Sequence, residues 1–186
     1  MSVHGHATPE NKRVAILISI LAALLAITEM SGKSAQTTAL SHNIEASNLW
    51  AFFQAKTIRM TTLRTAAETL EIDIAPDLPG PRAETLKKRV DSWRATAQRY
   101  DTEPETGEGR QELAARAKAA EAKRDRAMGA YHHFEFASAI FQIAIVLASA
   151  AIVTGVAPLI FVAIGASVVG TALGLLGWLA PTLLHL

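Results

Sequence analysis

The residues whose types and spacing could do chemistry fall into small, scattered groups. Gly32-Lys33-Ser34 reads like the end of a phosphate-binding loop, in which backbone N–H groups and a lysine cradle phosphate oxygens. The full motif wants a glycine five residues before Gly32, and Ile27 stands there, with no strand ahead of it. His132 and Glu135 lie one helical turn apart, as do His42 and Glu45, a spacing at which imidazole and carboxylate can share a metal. In the hairpin register derived below, residue 42 faces about residue 122, roughly 15 Å along the axis from His132, so the two pairs do not meet within one chain. They read as interfacial polar residues. His4 and His6 sit in a short polar stretch, and two flexible imidazoles do not close a metal site. Trp50, Phe52 and Phe53 make a dense aromatic cluster, and Lys87-Lys88-Arg89 a short basic run with Glu84 and Asp91 beside it. No nucleophile, base and orienting group come together in the sequence. The expectation is therefore no catalysis, no cofactor and no metal centre.

The elements that position these residues follow from where charge is absent. The 186 residues carry a net charge of +1, with 18 Lys/Arg and 17 Asp/Glu. Residues 14–28 and 136–186 hold no Lys, Arg, Asp or Glu. A charge-balanced middle sets up no long-range field for nucleic acid or an acidic substrate, so no nucleic-acid partner is expected. Cysteine is absent, which excludes disulfides, thiolate metal ligands and thiol catalysis without fixing the compartment. Phe136–Val156 is about 21 residues and Leu159–Leu184 about 26, against the roughly 20 that cross a bilayer core. Gly155 and Pro158 mark the turn between them. Val14–Thr28 is shorter, about 15 residues, but Lys12 and Arg13 can snorkel to the head groups and lengthen the span. A signal peptide would share this pattern; Glu29, Met30 and Lys33 stand where a small-residue cleavage site would be needed, so a retained anchor is expected.

Between the apolar runs the period is helical. Leu49, Phe53, Lys56, Met60, Leu63, Ala67, Leu70 and Ile74 recur at alternating spacings of four and three, a coiled-coil seam in which Lys56 alone is polar. The pattern extends back through Ala46, His42, Ala39 and Ala35. Pro76, Pro79, Gly80 and Pro81 end it. A second seam reads Leu86, Val90, Trp93, Ala97 and Tyr100; it breaks at the acidic stretch 101–109, expected as a solvated loop, and resumes through Leu113, Ala117, Ala120, Arg124, Ala127, Tyr131 and Phe134. The two arms match in length within a turn, about 46 against about 44 residues, roughly 70 Å each. The expected fold is thus an all-α membrane protein with three transmembrane helices and a long antiparallel, coiled-coil-like helical hairpin between the first and second. By residues this is a disordered tail 1–11, transmembrane helix 12–28, hairpin 29–135 with its turn at 76–81 and loop at 101–109, and transmembrane helices 136–157 and 158–184.

Two further patterns bear on assembly. Ile44, Ala51, Ile58, Thr65 and Ile72 repeat every seven residues on a face about 200° from the first seam, and a helix apolar on two opposed faces needs two neighbours. The return arm covers one; the other predicts a homo-oligomer, with Leu49, Trp50, Phe53, Met60, Leu63 and Leu70 as hairpin contacts beside it. In the apolar runs Ala15, Ser19, Ala23 and Ala26, then Ala144, Ala148, Ala151 and Gly155, then Ala166, Gly170 and Gly174 form small-residue stripes that let helices approach closely. No titratable side chain lies inside these runs, which argues against a coupled transporter but not against a passive pore between subunits.

The stretch KSAQTTALSHNIEASNLWAFFQAKTIR, from Lys33 to Arg59, resembles a bacterial membrane-protein family known as domain of unknown function 4337, and the similarity covers essentially the whole chain. It implies a bacterial inner (plasma) membrane protein and carries no activity. Lys12 and Arg13 favour a cytoplasmic N-terminus, whereas Arg116, Lys118, Lys123, Arg124 and Arg126 favour a cytoplasmic hairpin, and the count favours the latter. The function expected is a membrane-anchored hairpin that self-associates or scaffolds a protein partner. The alternatives are a passive channel or membrane-remodelling oligomer, or an accessory subunit of a larger membrane complex.

Overall fold

A computed structural model describes residues 9–74 and 79–183. The tail through residue 8, with His4 and His6, the turn residues 75–78 and residues 184–186 lie outside the described residues. Among those described every regular element is a helix: α1 (Pro9–Ile72), α2 (Gly80–Asp101), α3 (Arg110–Thr154) and α4 (Pro158–Leu179). α1 begins three residues ahead of Lys12, with Pro9 as its first helical residue, where proline's fixed φ is tolerated. It then runs without a break because Gly32 is its only glycine and no further proline occurs before Pro76. Pro79 caps α2, its carbonyl accepting from the N–H groups of Arg82 (2.9 Å) and Ala83 (3.0 Å). Gly155, at φ +71°, ends α3 and donates to the Ala151 carbonyl at 3.0 Å; few side chains tolerate that left-handed backbone. α1, α3 and α4 are each long and apolar enough to cross a membrane.

The chain divides into two compact units. The first comprises residues 1–40 and 123–186. Its core is Val14 and Leu21 of α1, Ala137, Phe141, Ala144 and Ala148 of α3, and Ala163 of α4. Large side chains meet small ones throughout. A Cβ added at Gly170 would come within 3.2 Å of the buried Phe141 ring, so the glycine makes room for it. At Gly177 the obstacle would be the Phe134 ring, at 3.1 Å. Ala144, Ala148, Gly170 and Gly174 are buried and Ala166 is half-buried, whereas Gly155 is exposed in its turn. Ala15 and Ser19, expected to mediate packing of α1, are exposed, as are Ala23 and Ala26. α1 packs instead through Val14, Leu21 and Thr28. The physical reason is complementarity: Leu21 of α1 and Phe141 of α3 fill the core, and the alanines and glycines of α3 and α4 make room for them.

The second unit is residues 41–122. Ala46 and Leu49 of α1 pack on Leu113, Ala117 and Ala120 of α3, with Trp50 and Phe53 alongside. Farther along, Met60, Ala67, Val90 and Ala97 are buried. Polar contacts tie Glu71 to Arg94, Lys56 to Glu103 (3.9 Å) and Trp50 Nε1 to Glu121 (2.9 Å), so partner numbers rise as the α1 numbers fall.

In the acidic stretch between α2 and α3, Pro104, Glu105, Thr106 and Glu108 are exposed, while its two ends are tied together. Asp101 pairs with Arg110 at 2.8 Å, and the Glu103 carboxylate accepts from Arg99 at 2.6 Å. Glu112, in the first turn of α3, accepts from the Thr102 hydroxyl at 2.7 Å and the Glu103 N–H at 3.3 Å. A Cβ at Gly109 would lie 2.4 Å from the Glu103 nitrogen, so the crossing chain needs a glycine there. Hydrogen bonds between residues about ten apart turn the stretch into a joint. The Arg99 hydrogen bond holds the Glu103 carboxyl below its ordinary value, and the Thr102 hydroxyl does the same for Glu112.

Candidate functional site

Helical structure decides the phosphate-loop question. Gly32, Lys33 and Ser34 lie inside α1, where their N–H groups are committed to the helix ladder and form no anion cradle. Gly32 is buried, and a Cβ there would sit 3.3 Å from Phe134 Cβ, so the glycine serves helix approach. His42 Nδ1 and Glu45 Oε2 are 3.1 Å apart in the second unit, and His132 Nδ1 and Glu135 Oε2 are 3.7 Å apart in the first. Among the described residues no three His, Asp or Glu side chains converge as metal ligands would. His133 is fully buried; its Nδ1 lies 2.7 Å from the Gly129 carbonyl oxygen.

The aromatic cluster is split among separate partners in the second unit. Trp50 and Phe53 meet edge to face with centroids 5.3 Å apart, and Arg110 stands 5.6 Å from the Phe53 ring centre. Lys56, 6% exposed, lies 5.3 Å from the Phe52 ring and 5.1 Å from Tyr100, with Glu103 beyond. Of the basic run, Lys88 pairs with Glu84 at 3.0 Å and Arg89 lies over Trp93 at 5.8 Å. Leu49 and Met60 are buried, and Trp50, Phe53, Leu63 and Leu70 half-buried.

The opposite face of α1 is uncovered. Ile44, Ile58 and Ile72 are 53%, 66% and 83% exposed, and Ala51 and Thr65 between them are exposed too. Beside this stripe runs a groove of about 790 Å³, its wall built from Thr57, Ile58, Thr62, Thr69, Leu70 and Trp93 among others. The hydroxyls of Thr57, Thr62 and Thr69 donate to the carbonyls of Phe53, Ile58 and Thr65 in their own helix. Their hydrogen-bonding capacity is turned back on the backbone, which makes the threonine face behave as apolar.

The first unit holds a groove of about 460 Å³ between α1 and α3, into which several polar side chains are set. Tyr131, Glu135, Ser138 and Gln142 line it at spacings of four, three and four, one face of α3. Thr28, Glu29 and Lys33 of α1 stand opposite. The Ser138 hydroxyl donates to Thr28 Oγ1 at 3.1 Å, the Gln142 amide to Glu29 at 3.2 Å, and the Tyr131 hydroxyl to Glu135 at 3.2 Å. The Glu135 charge, with burial and that hydrogen bond adding to it, raises the Tyr131 phenol above its ordinary value. Reading the chain by charge alone passes over Thr28 and Ser138. The signal that finds them is the helical period with which polar residues continue from Tyr131 into the apolar run.

A family model described as Domain of unknown function (DUF4337) matches residues 10–180. The chain belongs to the DUF4337 family. No curated protein and no solved structure matches it. In this DUF4337 chain the match runs through all four helices, so both the uncovered α1 face and the groove of the first unit fall inside the family's region.

Proposed function

We propose that this DUF4337 chain is an integral membrane protein that self-associates through a helical hairpin, an assembly element without catalytic chemistry. The observation that carries the reading is the uncovered stripe of Ile44, Ile58 and Ile72 at heptad spacing. Large aliphatic side chains on a charged, water-facing segment expose apolar surface worth about 25 cal/mol per Å² when covered. A second copy offers the same stripe, and two-fold association buries both at once. The adjoining groove, with its back-bonded threonines, is shaped to receive a helix.

Membrane insertion is supported by the three apolar helices and by the outward side chains of the first unit, among them Val146, Val153, Phe161 and Leu179, all more than half exposed. Lipid would cover them. The rising partner numbers along α2 and α3 support an antiparallel hairpin, with Lys56 setting its register. We place the chain in the inner membrane with the hairpin on the cytoplasmic side, on the distribution of basic residues.

Mass measurement in mild detergent tests the proposal. The wild type is expected as an oligomer, and Ile44→Glu/Ile58→Glu/Ile72→Glu as a monomer with unchanged helix content. A monomeric wild type, or a triple variant of unchanged mass, refutes self-association through this face.

A further inference from the structure

The stripe of Ile44, Ile58 and Ile72 is one line of a seam that has two. Ser41, Asn48, Ala55, Thr62 and Thr69 each stand three residues ahead of a stripe position. The two lines therefore alternate at spacings of three and four, as the a and d positions of a coiled coil do. Ala55 is half-buried and the other four are exposed. None of the six Asp, Glu, Lys or Arg residues between 41 and 72 falls on either line, although the segment around them is charged. Thr62 and Thr69 turn their hydroxyls back onto the Ile58 and Thr65 carbonyls, which leaves their methyl groups to pack. Asn48 is the exception. It is exposed, and its amide has no hydrogen-bond partner among the described residues. An amide both donates and accepts, so two copies of it brought face to face can pair. A single asparagine at an a position of an otherwise uncharged seam is a device that fixes alignment between coiled-coil helices.

Membrane insertion supplies an independent constraint. Copies that enter one bilayer in the same orientation are related by rotation about the membrane normal, so equivalent residues stand at equal heights. A slip of one heptad would displace one copy by about 10 Å, a third of the roughly 30 Å hydrocarbon core. An antiparallel pairing would need the two copies to insert in opposite orientations. We propose that the uncovered face receives a second copy of this chain in the same membrane, parallel and in register, with the two Asn48 amides paired and each stripe isoleucine against its own equivalent. This alignment sets Glu68 beside the Asp73 of the second copy, a like-charge contact at an exposed rim that salt screens.

The inference rests on the self-association and membrane readings above and adds direction and register to them. Two differently tagged full-length copies are co-expressed, solubilised in mild detergent and captured through one tag. Asn48→Asp in both copies, or Asn48→Lys in both, should lower recovery of the second copy about tenfold, because like charges then face one another. Asn48→Asp in one copy with Asn48→Lys in the other should restore recovery to within about twofold of wild type. Like-charge copies that associate as well as wild type, or a mixed pair that is not rescued, overturn the alignment. A second measurement leaves Asn48 and the isoleucines in place. The chain has no cysteine, so Ala51→Cys and Thr65→Cys each supply a single thiol for oxidation in membranes. Either variant alone should give a disulfide-linked pair. Copies carrying one and the other, with the thiols about 21 Å apart along the helix, should give about tenfold less mixed product than like product. Mixed product equal to like product overturns the parallel register. Wild-type capture separates the readings: no second copy recovered overturns self-association and alignment together, whereas recovery without charge rescue overturns the alignment alone.

Discussion

Lys56 is the most informative single residue to change in the second unit. Its side chain is 8% exposed, the ammonium stands between the Phe52 and Tyr100 rings, and Glu103 lies 3.9 Å away. Replacing it with alanine removes three buried methylenes, about 2.4 kcal/mol at roughly 0.8 kcal/mol each. The two ring contacts share one cation and add about 1 kcal/mol. Against this, the desolvation cost of the ammonium disappears. Glu103 is not left without a cation, because Arg99 holds it at 2.6 Å. The net expectation is a loss of about 2–3 kcal/mol for Lys56→Ala, whereas Lys56→Met, which keeps the stem, should fall within about 1 kcal/mol of wild type. Urea unfolding in mild detergent measures it. Trp178, the one tryptophan of the first unit, is replaced by Phe so that fluorescence reports on Trp50 and Trp93 alone. A Lys56→Ala midpoint equal to that of the parent, or a Lys56→Met loss as large as that of Lys56→Ala, would refute the argument that stem and rings hold this position.

The joint between α2 and α3 should be acid-labile. The carboxyls of Glu103 and Glu112 are held below 4.5 in the folded chain, so their contribution is present above that value and is lost as pH falls through the lowered ones. The urea midpoint should therefore drop below about pH 4.5, and Glu103→Gln/Glu112→Gln should flatten that drop. In the first unit Gly170→Leu must displace the Phe141 ring and should cost about 1–3 kcal/mol, seen as a lowered melting temperature in detergent, with Ala15→Leu near neutral because Ala15 is exposed. Because the chain has no cysteine, Glu108→Cys gives a single label site; an impermeant maleimide should fail to modify it in intact cells and succeed after permeabilisation. Modification in intact cells reverses the proposed side.

The helical class and its punctuation were readable because they rest on local chemistry. Gly155 ends α3 with its left-handed backbone, and Pro158 and Pro81 stand in the first turns of α4 and α2, where proline is tolerated although it could not continue a helix from the preceding turn. The apolar runs were readable because charge is absent from them. What escaped depends on which neighbour arrives. A stripe such as Ala15 and Ser19 marks where a helix can come close, but not whether this chain provides one; here α3 and α4 bring their own small residues and α1 answers with Leu21. Phe52, one turn before Lys56, is visible as its partner, whereas Tyr100 and Glu103 reach it only through tertiary contact. The acidic joint hides for the same reason, since Thr102 and Glu112 meet only once the chain between them has turned.

Lys56 and Ile58, two residues apart, invert the ordinary order of a helix surface: the ammonium is buried and the isoleucine is two-thirds exposed. Neither placement is favourable alone. The rings of Phe52 and Tyr100 and the Glu103 carboxylate make the first tolerable, and they do so at one alignment of α1 against α2 only, because a slip of one turn would put the ammonium against different side chains. A single polar residue in an apolar seam thus costs stability and specifies register. Fixing that register also fixes α1 in rotation, and with it the direction in which Ile44, Ile58 and Ile72 point. A stripe that could roll into its own seam would be free to bury itself; one held outward by a buried lysine remains available to a second copy. On this argument Lys56→Met, near neutral for the stability of one chain, should loosen the register and weaken self-association. Oligomeric mass across a dilution series, set beside the unfolding midpoint of the same variant, separates the two effects, and a dissociation profile equal to that of wild type would sever the link between seam and stripe.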